Sequence, residues 1–226
     1  MLSLQHPYIA VDSPGIVSYG GGQQFSDDHM VKLCGCGIVA ATDTLLYRQR
    51  WHSFGPIPIL DECLRADPLP SSSYYDLIQL MRRRYFPLIP YAGINGLMLA
   101  MGMQRFFRHY DLPYSCRWCF SYSELWGRIE RMLSADMPVI MSVGPNFPFF
   151  WQNEKACFYV KSSEGEFRPS SGARSHYFTV TGMDEKWLCI SSWGRRYYLS
   201  RREFEHYAMR HSVPFVSNIL YIVQKT

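Results

Sequence analysis

No stretch of the 226-residue chain approaches the roughly 18 consecutive apolar residues that a helix needs to cross a bilayer, so no membrane span is expected. Its first residues, MLSLQHPYIAVDSPG, lack a basic segment followed by an apolar one; the expectation is a chain without a secretory leader, working in the cytoplasm. An excess of one charge is missing too, since 23 Lys and Arg against 19 Asp and Glu leave a net charge of +4. The basic runs Arg82-Arg83-Arg84 and Arg201-Arg202 fall on different predicted helices and read as solvated faces, so nucleic acid is not an expected partner. An even cysteine count is absent: seven cysteines suit free thiols in a reducing compartment better than a disulfide framework. Cys116-Arg-Trp-Cys119 has no second CxxC pair to complete a structural zinc site. Cys34 and Cys36 are the only nearby substitute for one, and a pair of half-buried strand cysteines is the simpler reading. No internal repeat and no low-complexity segment interrupts the chain.

What is present is a core. Hydrophobic residues make up 47% of the chain and aromatics 16%, enough for one α+β domain over 1–226. Residues 1–29 are rich in turn formers and read as an extended arm, with short strands at Ile9 and Val11 or at Ile16 and Val17. A helical lobe is expected over about 30–137. Ser71-Ser-Ser73 reads as an N-cap for a helix to Tyr85 with Tyr74, Leu77, Ile78 and Met81 inward. A helix over Gly96 to His109 is expected to bury Leu97, Met101 and Phe106. Ser121-Tyr-Ser-Glu124 has the spacing of a capping box, ahead of a helix burying Leu125, Ile129, Met132 and Leu133. From about 138 to 226 the chain turns to short β-rich runs at 139–143, 157–161, 176–183, 187–192, 197–199 and 219–224, which predict an antiparallel sheet interrupted by a helix over 200–210.

The chemistry-bearing stretch is Met30 to Tyr47, MVKLCGCGIVAATDTLLY. Ile38, Ala41, Leu45 and Leu46 recur at helical spacing and place Cys36 at or just before the first turn of a helix buried along one side. Unpaired amide N–H groups and the positive end of the helix dipole favour a thiolate there. A buried, inert cysteine fits the same stretch, so a histidine partner decides between them. His176 opens the strand His-Tyr-Phe-Thr-Val-Thr-Gly with Phe178 and Val180 on its side, and a hairpin through Asp184 to Lys186 returns Ser191-Ser192-Trp193-Gly194 beside it. A side chain at 191 or 192 then orients the imidazole while Trp193 shields it. The remaining histidines, including His6 and His52, lack ligand spacing, and Gly144-Pro-Asn146 reads as a turn that shapes a substrate wall.

Cys36-Gly-Ile-Val-Ala, His176-Tyr-Phe-Thr-Val-Thr-Gly and Ser192-Trp-Gly, in that order from about Gly20 onward, resemble the papain-like cysteine peptidases, most closely the C39-like bacterial branch. The resemblance implies a papain-like fold, with Cys36 on a helical lobe as nucleophile, His176 on a sheet lobe as general base, and acyl transfer through a thioester followed by hydrolysis. Three positions depart from that pattern. Ile38 replaces a proline, Ser191 stands where the family carries an asparagine or a nearby aspartate, and the stretch just before the cysteine lacks the family's oxyanion glutamine. Gln23, 13 positions before Cys36, or its neighbour Gln24, is the substitute. The expected substrate is a peptide or small amide, with no metal ion or organic cofactor required. An acyl or aminoacyl transferase and an inactive peptide-binding scaffold are the alternative functions on the same fold.

Overall fold

The computed structural model describes residues 1–13, 15–147 and 151–225. Pro14, read above as part of a turn with Gly15, lies outside them. In chain order the elements are β1 (Leu2–Ser3), β2 (Val11–Ser13), β3 (Ile16–Val17), α1 (His29–Cys34), α2 (Cys36–His52), α3 (Pro58–Cys63), β4 (Leu69–Pro70), α4 (Ser71–Arg84), α5 (Gly96–His109), β5 (Tyr114–Trp118), α6 (Leu125–Ser134), β6 (Val139–Val143), β7 (Ala156–Lys161), β8 (Phe167–Ala173), β9 (His176–Met183), β10 (Trp187–Ser192), β11 (Arg195–Ser200), α7 (Arg201–Arg210) and β12 (Ile219–Gln224). A 3-10 turn over Gln23–Phe25 precedes α1.

The architecture is α+β around a large antiparallel sheet ordered β5-β12-β6-β9-β10-β11-β7-β8, with β1 added beside β9. β2, β3 and β4 form a small second sheet. The arm therefore does more than wrap: Leu2 pairs with Met183 in the main sheet. β5, inside the stretch read as helical, joins the same sheet through β12, and β8 is a strand whose Phe-Arg-Pro-Ser-Ser-Gly sequence carried no strand signal.

α2 is the element that the others enclose. It packs on β9 and β6 and also against α3, α4 and α5. Ile38, Ala41, Leu45 and Leu46 are buried as their spacing predicts, but so is nearly everything else from Gly37 to Gln49. The polar positions that look like a solvent face serve as cross-links. Asp43 accepts from Tyr74 and from the Gly21 amide, Arg48 donates to the carbonyls of Ala135 and Asp136, and Gln49 holds Gly55, Phe54 and Asp61. Each polar group so paired avoids the roughly 1–3 kcal/mol cost of a buried, unsatisfied one.

Local expectations fare unevenly at helix starts and faces. Tyr74, Leu77, Ile78 and Met81 are buried on α4, although Ser71–Ser73 form its first turn and Pro70 is the cap residue, without a side-chain bond. α5 has the expected bounds, capped by Asn95, yet Leu97 and Met101 face outward while Leu99, Met103, Phe106 and Phe107 are buried. The capping box at Ser121 does not form: Glu124 adopts a left-handed conformation (φ 59°) and Ser121 donates to Ser123 instead. Leu125, Ile129, Met132 and Leu133 are nonetheless buried on α6.

Candidate functional site

Cys36 is the first residue of α2, following Gly35 at its N-cap. The short helix α1, capped by Asp28 through the Met30 and Val31 amides, delivers the chain to it. Gly37 permits close packing there, since a Cβ would meet Ile94 at 2.6 Å and Tyr177 at 3.3 Å. Cys36 is half-buried. Protein surrounds the sulfur closely, and burial pushes the thiol up to about 11, against the opposing pull of the amide N–H groups of Tyr177, Gly37 and Cys36 itself. The helix start thus presents donors to the sulfur, as expected, but desolvation outweighs them.

His176 begins β9, buried with Phe178 and Val180. Burial pushes its imidazole down to about 3. Its Nε2 lies 2.8 Å from Ser192 Oγ, and its ring stacks on Trp193 at 4.4 Å between centroids. Ser191 does not hold the imidazole: its hydroxyl donates to the Tyr19 carbonyl at 2.7 Å. The reason is a bulge. Leu188 pairs with Met183 and Cys189 with Gly182, but Ile190 pairs with Val180, so Thr181 is the extra residue on β9. In a regular ladder Ser191 would lie opposite Val180, on the face of His176. The one-residue shift places Ser191 opposite Thr179, on the other face, and gives Ser192 the imidazole.

Cys36 and His176 line one cavity of about 450 Å³ together with Gln23, Trp193, Lys155 and Arg174. A second, of about 240 Å³, which shares Ile94, His176 and Tyr177 with the first, has an apolar wall of Ile94, Val143, Pro145, Tyr177, Phe215 and Val216. Gly144 and Pro145 line this cavity beside the imidazole, whereas Asn146, the third residue of that turn, is buried away from it.

Gln23 reaches the site because the loop before α1 folds back over it. Its Nε2 donates to the Lys32 carbonyl at 3.0 Å, while Gln24 donates to the Trp193 carbonyl at 2.9 Å and so ties the loop to the turn between β10 and β11. Gln24 does not line the cavity. The Tyr19 amide donates to Gly194 and the Gly194 amide to Gly21, completing this seam. Asp43, which sequence reading overlooked, sits two turns along α2 from Cys36 and lines a small void behind it, with His176 and Ser192. It accepts from Tyr74 Oη at 2.6 Å and from the Gly21 amide at 2.9 Å, and burial pushes its carboxyl up to about 7. The available signal was its spacing of seven from Cys36, which puts both on one face of the helix.

The four cysteines considered for zinc do not converge among the described residues. Cys116 donates to the Ala100 carbonyl and Cys119 accepts from Arg128. A different cluster, of His6, His52 and Asp136, does come together, contrary to the reading that these histidines lack ligand spacing. No helix among the described residues is long and apolar enough to cross a membrane. In comparisons with known proteins, no family model, no curated protein and no solved structure matches this chain.

Proposed function

We propose that the protein is a papain-like cysteine peptidase or amide hydrolase working through Cys36 and His176. The observation that carries this reading is that a cysteine at a helix start and an imidazole clamped by Ser192 and Trp193 line the same open cavity. With Nε2–H donating to Ser192 Oγ, Nδ1 is the nitrogen that takes a proton. As the sulfur attacks the amide carbon, the thiol proton passes to Nδ1 and an S–C bond forms. The oxyanion takes the Cys36 amide N–H and the second N–H of the Gln23 side-chain amide. His176 then gives its proton to the departing amine, the C–N bond breaks, and a thioester remains. Water, deprotonated by the same imidazole, releases the acid and restores the thiol.

Because burial opposes charge on both groups, the resting pair is thiol and imidazole rather than an ion pair. Charge develops only as substrate arrives, with His176 acting as a general base. The cleft flanks suit a peptide with an apolar side chain against Val143, Tyr177 and Phe215 and an acidic group toward Lys155 and Arg174.

The test is incubation of the protein with a peptide library, reading new peptide termini by mass spectrometry beside Cys36→Ala and His176→Ala. Termini that require both residues support hydrolysis. Adducts to an added amine assign the acyl group to transfer instead. If neither product appears, and Cys36 resists a peptidyl electrophile, the chain is a binding scaffold.

A further inference from the structure

At the far end of α2 from Cys36, three potential ligands meet: His6 from the arm, His52 from the last turn of α2, and Asp136 from the turn after α6. Their ligand atoms all lie within 4.8 Å of one another, the one such group among the described residues. His52 Nε2 is 2.5 Å and His6 Nε2 3.9 Å from the same oxygen, Asp136 Oδ2. Two ligands of a tetrahedral zinc ion, at about 2.0–2.1 Å from the metal, stand about 3.3 Å apart, so each of these two pairs needs to move by less than an ångström. The supporting shell is already built. Asp136 Oδ1 accepts from Tyr47 Oη and from the Gln5 amide, both at 2.7 Å, which turns Oδ2 toward the histidines. His6 stacks on Trp51 at 4.6 Å between centroids with nearly parallel rings, which fixes its plane. The Nη1 and Nη2 atoms of Arg48 donate to the carbonyls of Ala135 and Asp136 and to Tyr114 Oη rather than to the carboxylate. The carboxylate is buried while both imidazoles keep a solvent-facing edge, so a metal ion has an entry path.

We infer that His6, His52 and Asp136 form a divalent metal site of the two-histidine, one-carboxylate kind, suited to Zn²⁺. The 17 residues of α2 span about 24 Å, so this site is separate from the cleft. Its role is to fasten the N-terminal arm, and with it β1, to the end of the central helix. The metal replaces the His52–Asp136 hydrogen bond, and the Nε2 proton of His52 moves to Nδ1 or to solvent.

The test uses the full chain, freed of metal with a chelator and titrated with CoCl₂, then with ZnCl₂. The expected result is one Co²⁺ per chain with visible d–d bands, no thiolate-to-metal charge transfer, and displacement by Zn²⁺. His6→Ala, which removes a partly exposed side chain, is expected to weaken binding at least ten-fold, as is His52→Ala. Equal affinity in His6→Ala, a thiolate band from the free cysteines, or no stoichiometric uptake overturns the inference. A raised Tm with Zn²⁺ in the parent, absent in His6→Ala, further supports a fastening role.

Discussion

At Cys36 and His176 the surroundings oppose charge on both partners, and this fixes what pH does to the site. A thiol pushed up to about 11 is expected to alkylate with a rate still rising above pH 10, where an ordinary cysteine with a pKa near 8.5 has levelled off. Iodoacetamide labelling of Cys36 against pH, read by peptide mass spectrometry, checks it; a plateau below pH 8 would mean that an imidazolium holds the thiolate. For the acid limb of substrate turnover, the imidazole at about 3 leaves His176 competent as a base through pH 5, without the fall near 6.5 of a solvated histidine. The neighbouring serines separate by the same logic. Ser192→Ala removes the partner of His176 Nε2 and is expected to slow turnover about ten-fold, or about 1.4 kcal/mol in barrier. Ser191→Ala loosens only the tie to Tyr19 and is expected to cost activity little. A larger loss at Ser191 than at Ser192 would contradict the role given to Ser192.

Elements bring these residues together, and here legibility from sequence has clear physical limits. β6, β9, β10 and β12 were readable to the residue because β-branched and aromatic runs ended in turn formers. Thr181 as a bulge was not, because a bulge is a property of two strands in register and leaves no mark on either alone. α5 runs over the expected residues, although its glycines obscure its start in the sequence, and of its expected inward residues Phe106 is buried while Leu97 and Met101 are not, since methionine, leucine and phenylalanine occur all round it. Asp43 was missed because a carboxylate on an otherwise apolar helix looks like a solvent position until the loop before α1 folds onto it. Its importance can be measured. Asp43→Ala strands the Tyr74 hydroxyl and the Gly21 amide, with an expected loss of about 2–4 kcal/mol in urea unfolding. Faster hydrogen exchange over residues 19–25, which carry Gln23, should accompany it. Asp43→Asn keeps an acceptor in place and is expected to cost less than half as much; equal losses would show that charge rather than hydrogen bonding holds the loop.

Across the whole molecule, the order of a cysteine-led helix before a histidine-led strand was visible in the sequence because each motif is local, whereas the His6, His52 and Asp136 cluster was not. Asp136 lies 84 positions from His52, and the arm reaches that end of α2 through long-range contacts, the pairing of β1 with β9 and the bonds of Gln5 and His6 to Asp136 and Tyr47. The same global enclosure makes stability depend on pH through the buried imidazole. His176 is pushed down from 6.5 to about 3, so its contribution is present above pH 6.5 and is lost as the pH falls toward 3, because the unfolded chain takes up the proton first. Asp43, pushed up from 3.8 to about 7, works in the opposite sense: its contribution is present below 3.8 and is lost as the pH rises through about 7. Comparing variants isolates the first effect. Between pH 7 and pH 4.5 the parent is expected to lose about 2–3 kcal/mol more of its unfolding free energy than His176→Asn, which carries no titrating group there. Urea unfolding at the two pH values measures this directly. Parallel losses in the two proteins would mean that water reaches His176 in the folded state, and the neutral resting pair would then have to be replaced by a thiolate beside an imidazolium.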